Sequence, residues 1–250
     1  MICVPQYRTH CGGWNGFLCR VGAIALERYL RHAFCAGRSH ERLAWRIARM
    51  GVGLPCGTSV NYLGHLFLSG TDPLVTTGNF MADEVKGRDL SRFSEPLQQG
   101  IRLHRSIDTF MDQHPSVQAG RARVRAHAGR YAGVVMDLFY DHLLAREWSR
   151  WNAEPLPDYA QRMYALLQDH EALLPDRIRY MLGFMIRRDW LTNYATISGI
   201  GRSIQGLSER VPRGDVMSGS EKILAEHIEV YQQEFTVFLP AILEHTRGMR

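Results

Sequence analysis

Residues 103–112 read LHRSIDTFMD, placing His104, Asp108 and Asp112 four residues apart with Ile107, Phe110 and Met111 between them. On an α-helix a four-residue step advances about 40° around the axis, so the three polar side chains form one leaning row beside an apolar face. The spacing predicts a helix. A row of one imidazole and two carboxylates is also of a kind that can hold a metal ion.

The same periodicity extends outward. Residues of the buried-face pattern recur at three- and four-residue intervals at Val134, Val135, Leu138, Phe139, Leu143 and Leu144, then Tyr159, Met163, Leu166 and Leu167, then Ile223, His227, Val230 and Tyr231. Gly, Pro, Ser and Asp punctuation divides these runs at 69–77, 87–96, 113–116, 152–158, 174–176 and 212–220. No stretch alternates like a strand and no βαβ repeat is visible. The expectation is an all-α fold: one compact domain of roughly seven helices over residues 60–250.

Four pieces of this region carry ionisable side chains inside hydrophobic sequence. NYLGHLFLS carries His65, GNFMADEVKG carries Asn79 and Asp83, GIRLHRSIDTFMDQHP carries the opening row, and VVMDLFYDHLLAREW carries Asp137, Asp141 and His142. Burying an isolated charge costs several kcal/mol, so each such group needs a counter-charge, hydrogen bonds or a metal. Taken singly, each has a bland reading: His65 as a satisfied core histidine, Asp108 as a partner of Arg105, Asp137 as the cap of a turn. Together they give two or three imidazoles and up to five carboxylates with no matching buried cations, which a shared divalent cation explains better. Imidazole and carboxylate without thiolate suits Mn²⁺, Fe²⁺, Mg²⁺ or Zn²⁺ and does not choose among them.

Composition sets the outer bounds. A chain of 250 residues, 45% hydrophobic and 22% charged, can bury a full core. The formal net charge of +5 is uneven: residues 1–59 carry eight arginines against two glutamates, leaving −1 for residues 60–250. Nucleic-acid binding would therefore rest on residues 1–59 alone. All five cysteines, Cys3, Cys11, Cys19, Cys35 and Cys56, lie in that segment, at spacings that fit neither a paired zinc site nor an even disulfide set. Two accounts of the segment compete. It is a small basic module with a helix over 23–49, or it is translated upstream sequence preceding a native start at Val60; Arg, Gly, Cys and Ala richness without Lys or Asp favours the second. Residues 50–71 lack charge but carry too many glycines and polar groups for a membrane span. Without a convincing targeting segment, a cytoplasmic location is expected.

The four pieces, with a weaker stretch RRDWLTNYATISGIGRSIQGLSER, resemble in order and spacing the acyl carrier protein phosphodiesterases, regarded as distant, rearranged members of the HD phosphohydrolase superfamily. The resemblance spans essentially all of residues 60–250. It implies an HD-like, Mn²⁺-dependent hydrolase that cuts the phosphodiester between 4′-phosphopantetheine and a serine of holo-acyl carrier protein. It implies His65, His104, Asp108 and Asp141 nearest the metal, Asp83 as a ligand or as the base that positions water, and Asn79 and Asp112 behind them. Asp137 and His142 would orient groups or protonate the departing serine, His142 first. Arg105 either meets the phosphate oxygens or pairs with Asp108 or Asp112. The order Asp141–His142 departs from the adjacent His-Asp that names the superfamily, which leaves the ligand order open. Arg121 and Arg125, one turn apart, either steer an acidic carrier protein or form a solvated helix face. The alternative function is an HD-type hydrolase acting on a nucleotide or another small phosphoester. The oligomeric state is not legible.

Overall fold

The computed structural model describes residues 61–250, and among them every regular element is helical. The expectations about residues 1–59 and a start at Val60 lie outside the described residues. The helices, in chain order, are α1 (Tyr62–Leu68), α2 (Pro73–Met81), α3 (Glu95–Gln113), α4 (Pro115–Ala128), α5 (Ala132–Arg146), α6 (Trp148–Trp151), α7 (Leu156–Asp169), α8 (Asp176–Arg187), α9 (Trp190–Asn193), α10 (Ile197–Ser208), α11 (Ser220–Glu226) and α12 (Ile228–Thr246). Seven of these, α3, α4, α5, α7, α8, α10 and α12, have twelve or more residues; the rest are short pieces that turn the chain. Their buried faces share one hydrophobic core. No helix among the described residues is long and apolar enough to cross a membrane.

Local sequence explains the boundaries that position the site. Asp72 caps α2, its carboxylate accepting from the N–H groups of Leu74 and Val75, and Pro73 opens the helix where a missing N–H costs nothing. α3 stops at His114, whose extended backbone is what a residue before proline prefers, and Pro115 then opens α4. α5 is buried along most of its length, from Leu138 through Ala145 without interruption, so the helix has no polar stripe and runs through the middle of the core. Phe139 meets Tyr231 edge-on at 5.2 Å and Tyr140 meets Phe235 at 5.3 Å, seating α12 against it.

One stretch departs from the sequence expectation. Residues 69–77 read as punctuation, yet Pro73–Thr77 lie inside α2. The hydroxyls of Thr76 and Thr77 donate to the carbonyls of Asp72 and Pro73, four residues back, so these polar residues are satisfied within the helix. Burial supplies the stability that propensity does not: Val75 through Met81 are all buried.

That burial is against α3, and it is unusually close. A Cβ on Gly78 would collide with the Leu97 carbonyl oxygen, and one on Gly100 would collide with the Val75 carbonyl oxygen and stand 2.7 Å from the Asn79 nitrogen. The two glycines therefore let backbone touch backbone where α2 crosses α3. Gly100→Ala is expected to destabilise the fold by about 1–3 kcal/mol, because the atoms in the way are backbone and cannot rotate aside. Gly183→Ala, in the interior of α8 where the added methyl meets only the Arg187 side chain at 3.4 Å, should be neutral or stabilising by up to about 1 kcal/mol. Thermal unfolding of the two variants checks the contrast; equal melting temperatures would remove the crossing from the account.

Candidate metal centre

Three consecutive helices bring the site together. α1 supplies His65, α2 supplies Asn79, the 3₁₀ turn that follows it (Ala82–Glu84) supplies Asp83, and α3 supplies His104 and Asp108. The imidazoles of His65 and His104 stack with centroids 4.1 Å apart and planes 21° from parallel. Both turn Nδ1 towards one atom, the Asn79 side-chain oxygen, at 2.8 Å and 3.2 Å. Both turn Nε2 towards Asp108: His65 Nε2 lies 3.2 Å from Oδ1 and His104 Nε2 lies 3.2 Å from Oδ2. Asp83 Oδ1 approaches His104 Nε2 at 3.4 Å.

His65, His104 and Asp83 are buried or nearly so, while Asp108 is 37% exposed and opens the group to solvent. Burial alone would lower the His104 pKa, but Asp108 and Asp83 outweigh it and hold the ring up to about 10. His65 is lowered instead, by burial and by the neighbouring His104. Burial would raise Asp108, but the two imidazoles outweigh it and hold this carboxyl below the usual carboxylate range.

The donor set fits a divalent cation. His104 Nε2 is buried and makes no hydrogen bond of acceptable geometry despite two carboxylates nearby. One donor atom each from His65, His104 and Asp108 lies within 4.8 Å of the others. Two imidazole nitrogens with carboxylate oxygens are the ligands such ions take.

The remaining expected residues take other places. Asp141, expected beside the metal, has both oxygens engaged by the N-terminus of α1, accepting from Leu63 N–H at 3.0 Å and Gly64 N–H at 2.8 Å. Burial pushes its carboxyl up to about 8 against the pull of those bonds. It serves His65 by capping the helix that carries it, a role an aspartate on a distant helix gives no sequence sign of. His142 shares a hydrogen bond with the Tyr194 carbonyl through Nδ1 at 2.8 Å, and its Nε2 is buried without a partner. Burial lowers its pKa, so the neutral ring donates from Nδ1. Asp137 is half-buried; burial first, then the charge of Asp108, pushes its carboxyl well above the usual range.

Arg105 pairs with neither Asp108 nor Asp112. Its guanidinium donates to the carbonyls of Val85 and Gly87 and straps down the loop after Asp83. Asp112 is exposed and pairs with Arg121 at 2.5 Å, on the far end of the row from the imidazoles. Arg125 is exposed on α4. Ser69 was not singled out in the sequence, though it sits one turn after His65: its hydroxyl donates to the His65 carbonyl and accepts from the Asn79 amide.

Comparisons with known proteins place the chain. The profile of a family described as "Acyl carrier protein phosphodiesterase" matches residues 60–242. Curated relatives bearing that name include a protein of Serratia proteamaculans, 30% identical over 191 residues, covering 75% of this chain and 98% of the relative. One from Yersinia enterocolitica is 29% identical over 189 residues, covering 75% and 98%. One from Photorhabdus laumondii is 29% identical over 186 residues, covering 74% and 94%. No solved structure is significantly similar.

The geometry of the cluster sets its pH response. With a folded pKa of about 10 against an ordinary 6.5, metal-free His104 is protonated at neutral pH, and a metal can bind its Nε2 only by expelling that proton. Affinity for Mn²⁺ is expected to rise about tenfold per pH unit between about pH 7 and 9, with about one proton released. In the metal-free protein the same raised pKa contributes stability below pH 6.5 that fades as pH rises towards 10. Calorimetric titration in buffers of different ionisation enthalpy counts the proton. An affinity flat across this range would show that His104 carries none.

Proposed function

The chain belongs to the acyl carrier protein phosphodiesterase family, and from that premise we propose that it is a metal-dependent phosphodiesterase acting on holo-acyl carrier protein. It hydrolyses the bond between 4′-phosphopantetheine and the carrier serine, releasing apo-acyl carrier protein and 4′-phosphopantetheine. The observation that carries the reading is the convergence of His65, His104 and Asp108, with Asp83 beside His104, in one cluster of metal-ligating side chains. His65, His104 and Asp108 would hold the ion, with Asp83 as a further ligand or as the base. Mn²⁺ is the ion proposed, and an HD-like relationship goes with it. A bound divalent ion supplies charge to offset the phosphoryl oxygens and lowers the pKa of water.

The chain's own residues handle the protons and the substrate. Hydrolysis adds water oxygen to phosphorus, breaks the phosphorus–serine oxygen bond, and requires one proton for the serine oxygen and removal of one from water. Asp83, nearly buried against His104, takes the proton from water. Asp137 supports the acid role better than His142. Burial, and then the charge of Asp108, raises its carboxyl well above the usual range, the direction an acid needs, whereas His142 is neutral with its one hydrogen committed to Tyr194. His142 then acts as a brace between α5 and the turn after α9. Arg105 shapes the loop behind Asp83. Arg125, exposed on α4, with Arg121 partly committed to Asp112, forms the basic face that steers an acidic carrier protein in the cytoplasm.

Metal-stripped protein is expected to release the phosphopantetheine group from holo-acyl carrier protein only when Mn²⁺ is restored, as followed by intact mass. Asp108→Ala should lower kcat/KM by at least about a hundredfold. Asp137→Asn should lower carrier-protein hydrolysis by about 10²–10⁴-fold while sparing a p-nitrophenyl phosphodiester, whose leaving group departs without a proton. Metal-dependent cleavage of the small diester with none of the carrier protein moves the substrate to small phosphoesters. Equal losses on both substrates would remove Asp137 as the acid.

A further inference from the structure

We propose that Asn79 sets the tautomer of both metal-facing histidines, acting as the positioning residue of the centre through a single shared acceptor oxygen. The inference rests on the reading of the cluster as a metal site, but its geometry is independent of the substrate. The Asn79 side chain is fully buried, and each of its polar atoms is used twice or faces two partners. Its NH₂ group donates to the His65 carbonyl at 3.0 Å and to Ser69 Oγ at 2.9 Å. Ser69 gives its own hydrogen to that same carbonyl at 2.8 Å, so at Asn79 its oxygen can only accept. The amide is thereby oriented: a flip would set its oxygen against a carbonyl oxygen and against a hydroxyl oxygen whose hydrogen is spent.

With NH₂ fixed on that side, the Asn79 oxygen faces the two Nδ1 atoms, and an amide oxygen has no hydrogen to give. Both His65 and His104 must therefore carry hydrogen on Nδ1. Nε2 of each ring is left as the atom that, once free of hydrogen, can offer a lone pair to a cation held beside Asp108. Stacking of the rings, 4.1 Å apart, is what lets one oxygen serve both. Asparagine suits the place because it accepts along one edge and donates along the other. Aspartate would keep the shared acceptor and lose the two donated bonds; leucine would lose everything.

The test uses the full chain labelled with ¹⁵N, read through long-range imidazole correlations in the metal-free and the Zn²⁺-loaded states, together with Mn²⁺ affinity. Wild-type protein should show hydrogen on Nδ1 of both His65 and His104, and Nε2 should be the zinc-bound nitrogen of each. Asn79→Leu should shift at least one ring to the Nε2–H form and weaken Mn²⁺ binding by about 10–100-fold, with helicity by circular dichroism unchanged. Asn79→Asp should restore Nδ1–H on both rings. If Asn79→Leu does not fold, the wild-type spectrum and the aspartate variant still decide. Either ring ligating through Nδ1, or both rings keeping Nδ1–H in a folded Asn79→Leu protein, overturns the inference while leaving a metal site. Both Nδ1–H signals without any binding of Mn²⁺ or Zn²⁺ would support the role of Asn79 and overturn the metal reading instead.

Discussion

The backbone contact between α2 and α3 is the constraint on which the rest depends. Gly78 lies against the Leu97 carbonyl and Gly100 against the Val75 carbonyl, so the two helices meet without side chains between them at that crossing. Asn79 follows Gly78 directly, and its backbone nitrogen is among the atoms nearest Gly100. Moving α2 outward by the thickness of a methyl group would draw the Asn79 oxygen out of reach of His104, since 3.2 Å is already a long bond. The close crossing is thus a condition for the shared acceptor as well as for packing. His65 is placed from two further directions, by Asn79 and Ser69 at its own carbonyl and by Asp141 at the start of α1.

Each polar group in this core is compensated in a different way, and the differences sort their roles. Asp141 has backbone amides, Asn79 has a complete set of partners, and His142 has the Tyr194 carbonyl. These are structural solutions to burial. In the His65, His104, Asp83 and Asp108 group, Asn79 serves the two Nδ1 atoms while the Nε2 side meets only carboxylates in ion-pair contact, which leaves one buried imidazole nitrogen without a hydrogen bond. A group that satisfies itself by holding a proton is the one from which a cation can displace it.

Much of this was legible in the sequence. The four-residue row at His104 and Asp108 marked both the helix and the site, because a helical repeat maps spacing directly onto a face. The long helices were likewise visible as runs of three- and four-residue apolar spacing. α2 was not, because Thr, Gly and Asn in Thr76–Asn79 are poor helix formers that only tertiary burial and i−4 hydroxyl bonds make helical. Asp141 and Asp108 look alike in sequence, each an aspartate four residues from another polar group on an apolar helix. What separates them is that the N-terminus of α1 lies against one and two imidazoles lie against the other, which no local spacing encodes. The partners of Arg105 and Asp112 were not legible for a related reason: a long guanidinium reaches backbone carbonyls of a distant loop, and the last turn of α3 has already left the core.

Contiguity in the chain gives the site its last physical property. The side chains of the candidate centre come from residues 65–108, on three successive helices, while α5 contributes the cap at Asp141 and the raised carboxyl of Asp137. An ion bound by His65, His104 and Asp108 would cross-link α1 to α3 over Asn79 and tighten the crossing that the glycines permit. Binding energy of that kind is also folding energy, because the ligands converge only when the helices are docked. Asp137 sits outside this clamp and inside its field: burial first and then the charge of Asp108 raise it, and a cation offsetting that charge would remove the second part. Proton affinity at Asp137 is therefore coupled to the charge held at the centre.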